Sequence, residues 1–186
     1  IDDPRNKLYL SVFKTLKLTN PKAFVVENVR GLKTMWDGNV FKEIIKKFES
    51  AGYIVTESLL NSADYGVPQI RHRVFIVGIK KELNKKFEFP KPEFDKDNYI
   101  TCGEAIDNLP SLENGELKSS NYNEKPTTNF QRYVMDSNKL YNHEATLHKQ
   151  FVKETIALVP EGGNYKDLPK GVGDSRKFNE AWTRYH

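Results

Sequence analysis

A single cysteine, Cys102, stands in the 186 residues, and that scarcity excludes an internal disulfide framework and any cysteine-based metal site. It also fits a reducing compartment. The four histidines show no paired spacing with cysteine or carboxylate, and His143 and His148, five apart, are their nearest approach to a pattern. No metal site is expected. No apolar run approaches the roughly 18 residues of a membrane-crossing helix, and no positively charged start leads into an apolar stretch, so neither a span nor a secretory signal is read. Internal repeats and low-complexity segments are also absent.

A strong excess of one charge is missing too. The formal net charge is +4 with a sequence pI near 9.0, but it is unevenly placed. Residues 1 to 90 hold 16 Lys and Arg against 10 Asp and Glu, a surplus of six, while residues 91 to 186 hold 13 against 15. A surplus this small is compatible with phosphate contact and equally common in ordinary soluble domains. Charge alone does not decide the partner.

What is present is enough apolar material, 38% hydrophobic and 12% aromatic, for the core of one domain or of two small lobes. Asp3-Pro4 pairs an N-cap residue with a proline suited to the first helical position, and Leu8, Val12, Phe13 and Leu16 recur at helical spacing. A helix from about residue 4 to 18 is predicted, ended by Asn20-Pro21. Ala23 to Val26 is a short continuous apolar run of the kind buried on both faces of a parallel sheet, which places Glu27 at a strand's carboxyl end. Val40, Phe41, Ile44, Ile45 and Phe48 then line one face of an amphipathic helix, with lysines and Glu43 opposite and Gly52 closing it. Tyr53 to Leu60 and Arg73 to Ile79 read as two strands joined by a loop containing Gly66 and Pro68. Phe89-Pro90-Lys91-Pro92 makes a stiff boundary, after which Thr101 to Leu109 and Glu144 to Val159 are expected helices and Pro160 to Asn164 a turn-rich break.

Two motifs bracket the strand and helix at the centre of this pattern: Glu27-Asn28-Val29, and Ala63-Asp64-Tyr65-Gly66-Val67-Pro68-Gln69-Ile70-Arg71-His72-Arg73. Taken singly, the first reads as a solvated turn and the second as a basic strand start. Together, in order, with a strand and a helix of the expected type between them, they resemble the sixth and eighth conserved motifs of the DNA (cytosine-5)-methyltransferases. Asp3-Pro4-Arg5-Asn6-Lys7-Leu8-Tyr9 is similar to that family's fifth motif, Thr101 to Pro110 to a segment after the eighth, and Trp182 to His186 to the approach to the ninth. The match covers residues 1 to 80 well and 100 to 186 loosely.

The resemblance implies an α/β fold: the second half of a Rossmann-like, S-adenosylmethionine-dependent methyltransferase sheet, followed by a small mixed target-recognition lobe. It implies a partial catalytic domain over residues 1–88 and a target-recognition region over 89–186. Cytosine C5 is a poor nucleophile, so its methylation requires attack at C6 and relief of the charge that develops around N3 and O2. A carboxylic acid can donate to N3, and an arginine fork can stabilise O2. The resemblance gives Glu27 the first role and Arg73 the second, with Arg71 assisting at the base or an adjacent phosphate. Asn28 supports the loop bearing the nucleophile, and Leu8 becomes a candidate contact to the adenine of S-adenosylmethionine, being equally a core leucine. To donate, Glu27 must be protonated, which a site at the end of an apolar strand provides by desolvation.

The family's glycine-rich cofactor loop and Pro-Cys nucleophile belong before Glu27, and neither is in this sequence. Cys102, in Thr-Cys-Gly after the eighth motif, reads as a small core or helix-start residue. The chain also opens on Ile1 rather than Met, and is read as part of a longer bacterial, cytoplasmic enzyme of restriction-modification, inactive alone. Its expected partners are double-stranded DNA and the missing amino-terminal half of the catalytic domain. A non-catalytic DNA-binding module, or one subunit of a split methyltransferase, is the alternative; RNA in place of DNA as substrate is a third reading, disfavoured by the sizeable lobe after residue 90. Candidate DNA contacts are Asn129, Gln131, Arg132, Tyr133, Asn142, His143, Lys149, Lys166 and Arg176, each also readable as solvated surface.

Overall fold

The computed structural model describes residues 8–116, 121–122 and 124–172. The Asp3-Pro4 cap, Arg176 and the segment from Trp182 to His186 lie outside them. The first elements follow the apolar spacing: α1 at Leu8–Thr19, β1 at Ala23–Val29, α2 at Asn39–Ser50, β2 at Tyr53–Asn61 and β3 at His72–Lys80. Asn20, with φ 44°, donates its N–H to the Leu16 carbonyl at 2.9 Å and ends α1. Gly52, with φ 88°, closes α2, where a side chain would strain the backbone.

β3 pairs antiparallel with both neighbours, giving the order β1-β3-β2. β1 and β2 therefore run parallel, joined by a crossover through α2, and β3 is inserted between them as the return arm of a hairpin. Side chains alternate between the two faces of each strand. Phe24 and Val26 of β1 and Val74 and Ile76 of β3 meet Leu16 of α1 and Phe41, Ile44 and Phe48 of α2 in one core. Phe24 stacks on Phe48 at 4.8 Å and on Tyr53 at 5.0 Å between ring centroids, and the buried Tyr53 spends its hydroxyl on the Pro21 carbonyl at 2.8 Å. Burying a side chain the size of Phe48 contributes about 1.5–3 kcal/mol.

The expectation that the apolar run of β1 is buried on both faces is corrected. Val25 is 65% exposed and Val29 52%, because α1 and α2 cover one face only and β1 is an edge of the sheet among the described residues. After β1, short 3₁₀ turns at Arg30–Lys33 and Met35–Gly38 lead into α2. Trp36, Asp37 and Gly38 there are all left-handed, with φ of 47°, 54° and 77°.

The chain divides into two compact units. One comprises residues 1–107 and 127–133, the other 108–126 and 134–186. The first unit thus runs past residue 88, because the segment after the Pro-rich boundary folds back on the β2–β3 loop: Glu93 and Phe94 donate N–H groups to the Asp64 carbonyl at 2.9 and 3.1 Å, and the Tyr65 hydroxyl reaches the Pro90 carbonyl at 3.1 Å. It also holds α3 at Cys102–Ile106, capped reciprocally by Thr101 and Glu104, and most of α4, Asn129–Val134. Cys102 is a helix-start residue, exposed rather than in a core.

The second unit is built mainly of loops. Its helix α5 spans Gln150–Ala157, beginning later than the expected Glu144. The Asn114 side chain binds both the N–H and the carbonyl of His148, at 2.8 and 2.9 Å, and Ala145 donates to the Glu116 carbonyl. Those bonds hold residues 145–148 against 114–116 and out of a helix.

Candidate active site

The two motifs meet across the β1–β3 ladder. Glu27 lies opposite Phe75 and Val29 opposite Arg73, so Glu27 and Arg73 are diagonal neighbours on one face, within reach for long side chains. Arg73 Nε lies 2.8 Å from Glu27 Oε1. The same guanidinium donates through Nη1 to the His72 carbonyl at 2.9 Å. Among the described residues Arg73 Nη2 and Glu27 Oε2 have no protein partner, so the pair keeps free N–H donors on the guanidinium and a free carboxylate oxygen as acceptor. Asn28 accepts the Val29 N–H on Oδ1 at 2.8 Å, fixing the backbone just past the carboxylate.

The expected desolvation of Glu27 is not found. Its side chain is 47% exposed and ion-paired, against 22% for Arg73, since the edge strand that carries it is covered on the opposite face. Beside it, a cleft of about 360 Å³ is lined by Val12 of α1, Leu32 and Met35 of the 3₁₀ turns and Ile44 of α2. Tyr9 also lines it and donates to Glu43 Oε1 at 3.2 Å. Burial, then the Glu43 charge, raise the Tyr9 pKa above the usual tyrosine value.

Arg71 is exposed, but its backbone is held at both ends. Its N–H donates to Asn61 Oδ1 at 3.0 Å, and its carbonyl accepts from the Ser62 N–H at 3.0 Å and hydroxyl at 3.2 Å. The nearly buried Asn61 turns its amide to Asp64 Oδ1 at 3.0 Å and to the Tyr99 hydroxyl at 3.2 Å, and that hydroxyl donates to the same Asp64 oxygen at 2.5 Å. The Asp64 bond holds the Tyr99 pKa above its usual range. Asn61 and Tyr99 are not picked out by sequence; an Asx residue at a strand end signals a local turn, but nothing near Tyr99 points back to the loop.

Other expected contacts divide. Leu8 opens the backbone of α1, and its side chain lies outside the described residues. Gln131 is 1% exposed and takes N–H and hydroxyl bonds from Thr127 and Thr128 on Oε1, so it is an internal brace rather than a DNA contact. His143 is half-buried, with Nε2 2.7 Å from the Pro110 carbonyl. Asn129, Arg132, Tyr133, Asn142, Lys149 and Lys166 are not buried, and Asn129 Oδ1 accepts from Arg132 Nη2 at 2.7 Å. Among the described residues no group of three or more His, Cys, Asp or Glu could hold a metal ion, and no helix is long and apolar enough to cross a membrane.

Glu27 and Arg73 thus set a carboxylate and an arginine fork side by side across the β1–β3 ladder, an arrangement with the hydrogen-bonding capacity to take a planar polar ligand. The family model for C-5 cytosine-specific DNA methylase matches residues 1–182, and the chain belongs to that family. It is 36% identical over 189 residues to the type II methyltransferase M1.HphI of Haemophilus parahaemolyticus, covering 100% of this chain and 43% of that protein. It is 41% identical over 126 residues to M.BspRI of Lysinibacillus sphaericus, covering 66% of this chain and 30% of the relative. The chain thus spans less than half the length of these curated relatives. In fold it is similar to a DNA modification methyltransferase encoded within an E. coli prophage, with a TM-score of 0.60 and 23% identity over 85% of this chain and 51% of that one.

Proposed function

We propose that these residues form the carboxyl-side part of a bacterial restriction-modification enzyme that transfers a methyl group from S-adenosylmethionine to C5 of a cytosine flipped out of double-stranded DNA. The observation that carries this reading is the Glu27–Arg73 pair, 2.8 Å apart on neighbouring strands, each with hydrogen-bonding capacity left for a ligand. A cytosine edge-on to the pair meets the free Glu27 oxygen at N3 and Arg73 Nη2 at O2. Glu27, once protonated, donates at N3, and Arg73 offsets the charge that grows at O2 without a proton transfer of its own. The flipped base, rather than the apolar strand, then excludes water from the carboxyl group. Arg71, exposed two residues before Arg73, serves the base or its neighbouring phosphate, and Asn28 supports the loop bearing the nucleophile.

The cofactor is only partly provided for. A sulfonium nucleoside with an amino-acid tail needs several donors and acceptors, whereas the cleft beside Glu27 is mostly apolar, so its walls do not by themselves fit the whole group. Leu8, where α1 begins, is the proposed adenine contact. The rest of the site and the nucleophilic cysteine are assigned to an amino-terminal half of the catalytic domain, in keeping with the share of each relative that the chain spans. Residues 108–126 and 134–186 are assigned, with the loops that precede them, to target recognition.

Replacing Glu27 with Gln in the complete enzyme is expected to lower the methylation rate by roughly 10²- to 10⁴-fold, the usual contribution of a positioned acid or base. Arg73→Lys is expected to lower it too, because an ammonium cannot reproduce the fork. The measurement is transfer of labelled methyl to duplex DNA, and unchanged rates in both variants would remove the pair from the mechanism. The 186 residues alone are expected to transfer nothing, since covalent catalysis has no nucleophile there; robust transfer by them would overturn the division into halves.

A further inference from the structure

The loop that carries Arg71 is held from behind by a segment remote in sequence. Four hydrogen bonds join residues 90–99 to it: the N–H groups of Glu93 and Phe94 on the Asp64 carbonyl, the Tyr65 hydroxyl on the Pro90 carbonyl, and the Tyr99 hydroxyl on Asp64 Oδ1. The Phe94 ring lies against Gly66, where φ is 79° and a β-carbon would come within 3.0 Å of that ring. Of these contacts the Tyr99 hydroxyl alone leads by side-chain bonds to Arg71. It holds Asp64, Asp64 and Tyr99 hold the Asn61 amide, and the other end of that amide accepts the Arg71 N–H.

We propose that Tyr99 is a positioning residue, whose hydroxyl sets the Arg71 backbone through Asp64 and Asn61. This rests on the functional reading above. The Asn61 side chain has a planar amide with an acceptor at one end and donors at the other. If its donors lose Asp64 or Tyr99, the ring of bonds no longer defines its rotation, and the acceptor facing Arg71 shifts with it. Misplacement of a charged group by about an ångström is enough to slow a reaction whose catalysis depends on orientation.

The test is Tyr99→Phe in the complete enzyme, alone and combined with Arg71→Ala. Tyr99→Phe is expected to lower kcat roughly tenfold, to leave the KM for the methyl donor and the melting temperature near wild type, and to have no further effect once Arg71 is Ala. Asp64→Asn, which keeps an oxygen acceptor for both bonds, is expected to retain most of the rate, whereas Asp64→Ala loses it. A wild-type kcat in Tyr99→Phe, or a full additional loss in the Arg71→Ala background, overturns the proposal. If Glu27→Gln and Arg73→Lys slow the enzyme while Tyr99→Phe does not, the positioning role alone fails. If none of the three slows it, the functional reading fails and the positioning role falls with it.

Discussion

The face of the sheet bearing Phe24, Val26, Val74 and Ile76 is packed against α1 and α2, while the face bearing Val25, Glu27, Val29 and Arg73 stays open along β1. The same three strands serve both. On the packed face side chains meet other side chains, and on the open one a carboxylate and a guanidinium meet each other beside solvent. The core and the proposed chemistry thereby fall to alternate residues of one strand. Glu27, 47% exposed, can be exchanged without removing a core side chain, and core residues can be exchanged without removing the proposed reacting group.

That separation can be broken most severely from the packed side. Phe48→Ala, at a residue 1% exposed that stacks on Phe24, is expected to cost about 3–5 kcal/mol, read as a shift in the urea midpoint; a loss below about 1 kcal/mol would mean that this face is not the main core. Gly78→Ala acts through the same face. Gly78 pairs with Phe24 across the ladder, and a β-carbon there would run into the Phe24 ring, which Phe48 and Tyr53 already hold in place. The expected cost is about 1–3 kcal/mol, measured the same way, and a neutral result would show that the ring is free to move. On the open face, Val25→Thr is expected to change stability by no more than about 0.5 kcal/mol. A larger loss in the complete enzyme would show that another part of the protein packs on Val25.

The sequence shows the elements of the first unit well because its apolar residues recur at the period of the element they build. Phe41, Ile44 and Phe48 mark α2, and the β-branched residues from Val74 to Ile79 mark β3. What periodicity cannot convey is which faces get covered. The run from Ala23 to Val26 looks doubly buried, yet Val25 is open because helices pack on one side only. For the same reason the exposed surroundings of Glu27 are not legible in its motif. Pairings across long separations escape as well: Tyr99 to Asp64, or Asn114 to the backbone of His148, depend on where two distant loops come to rest. Gln131 shows the opposite failure, a polar residue with the look of a surface contact that is buried as a brace.

β1 also has a consequence for handling these residues. Among the described residues it pairs only with β3, which leaves a row of amide and carbonyl groups facing outward over seven residues. Such an edge, flanked here by exposed valines, is a template for any extended chain that meets it. That edge is expected to favour strand-to-strand association at high concentration, which concentration-dependent light scattering would detect and a purely monomeric species would refute.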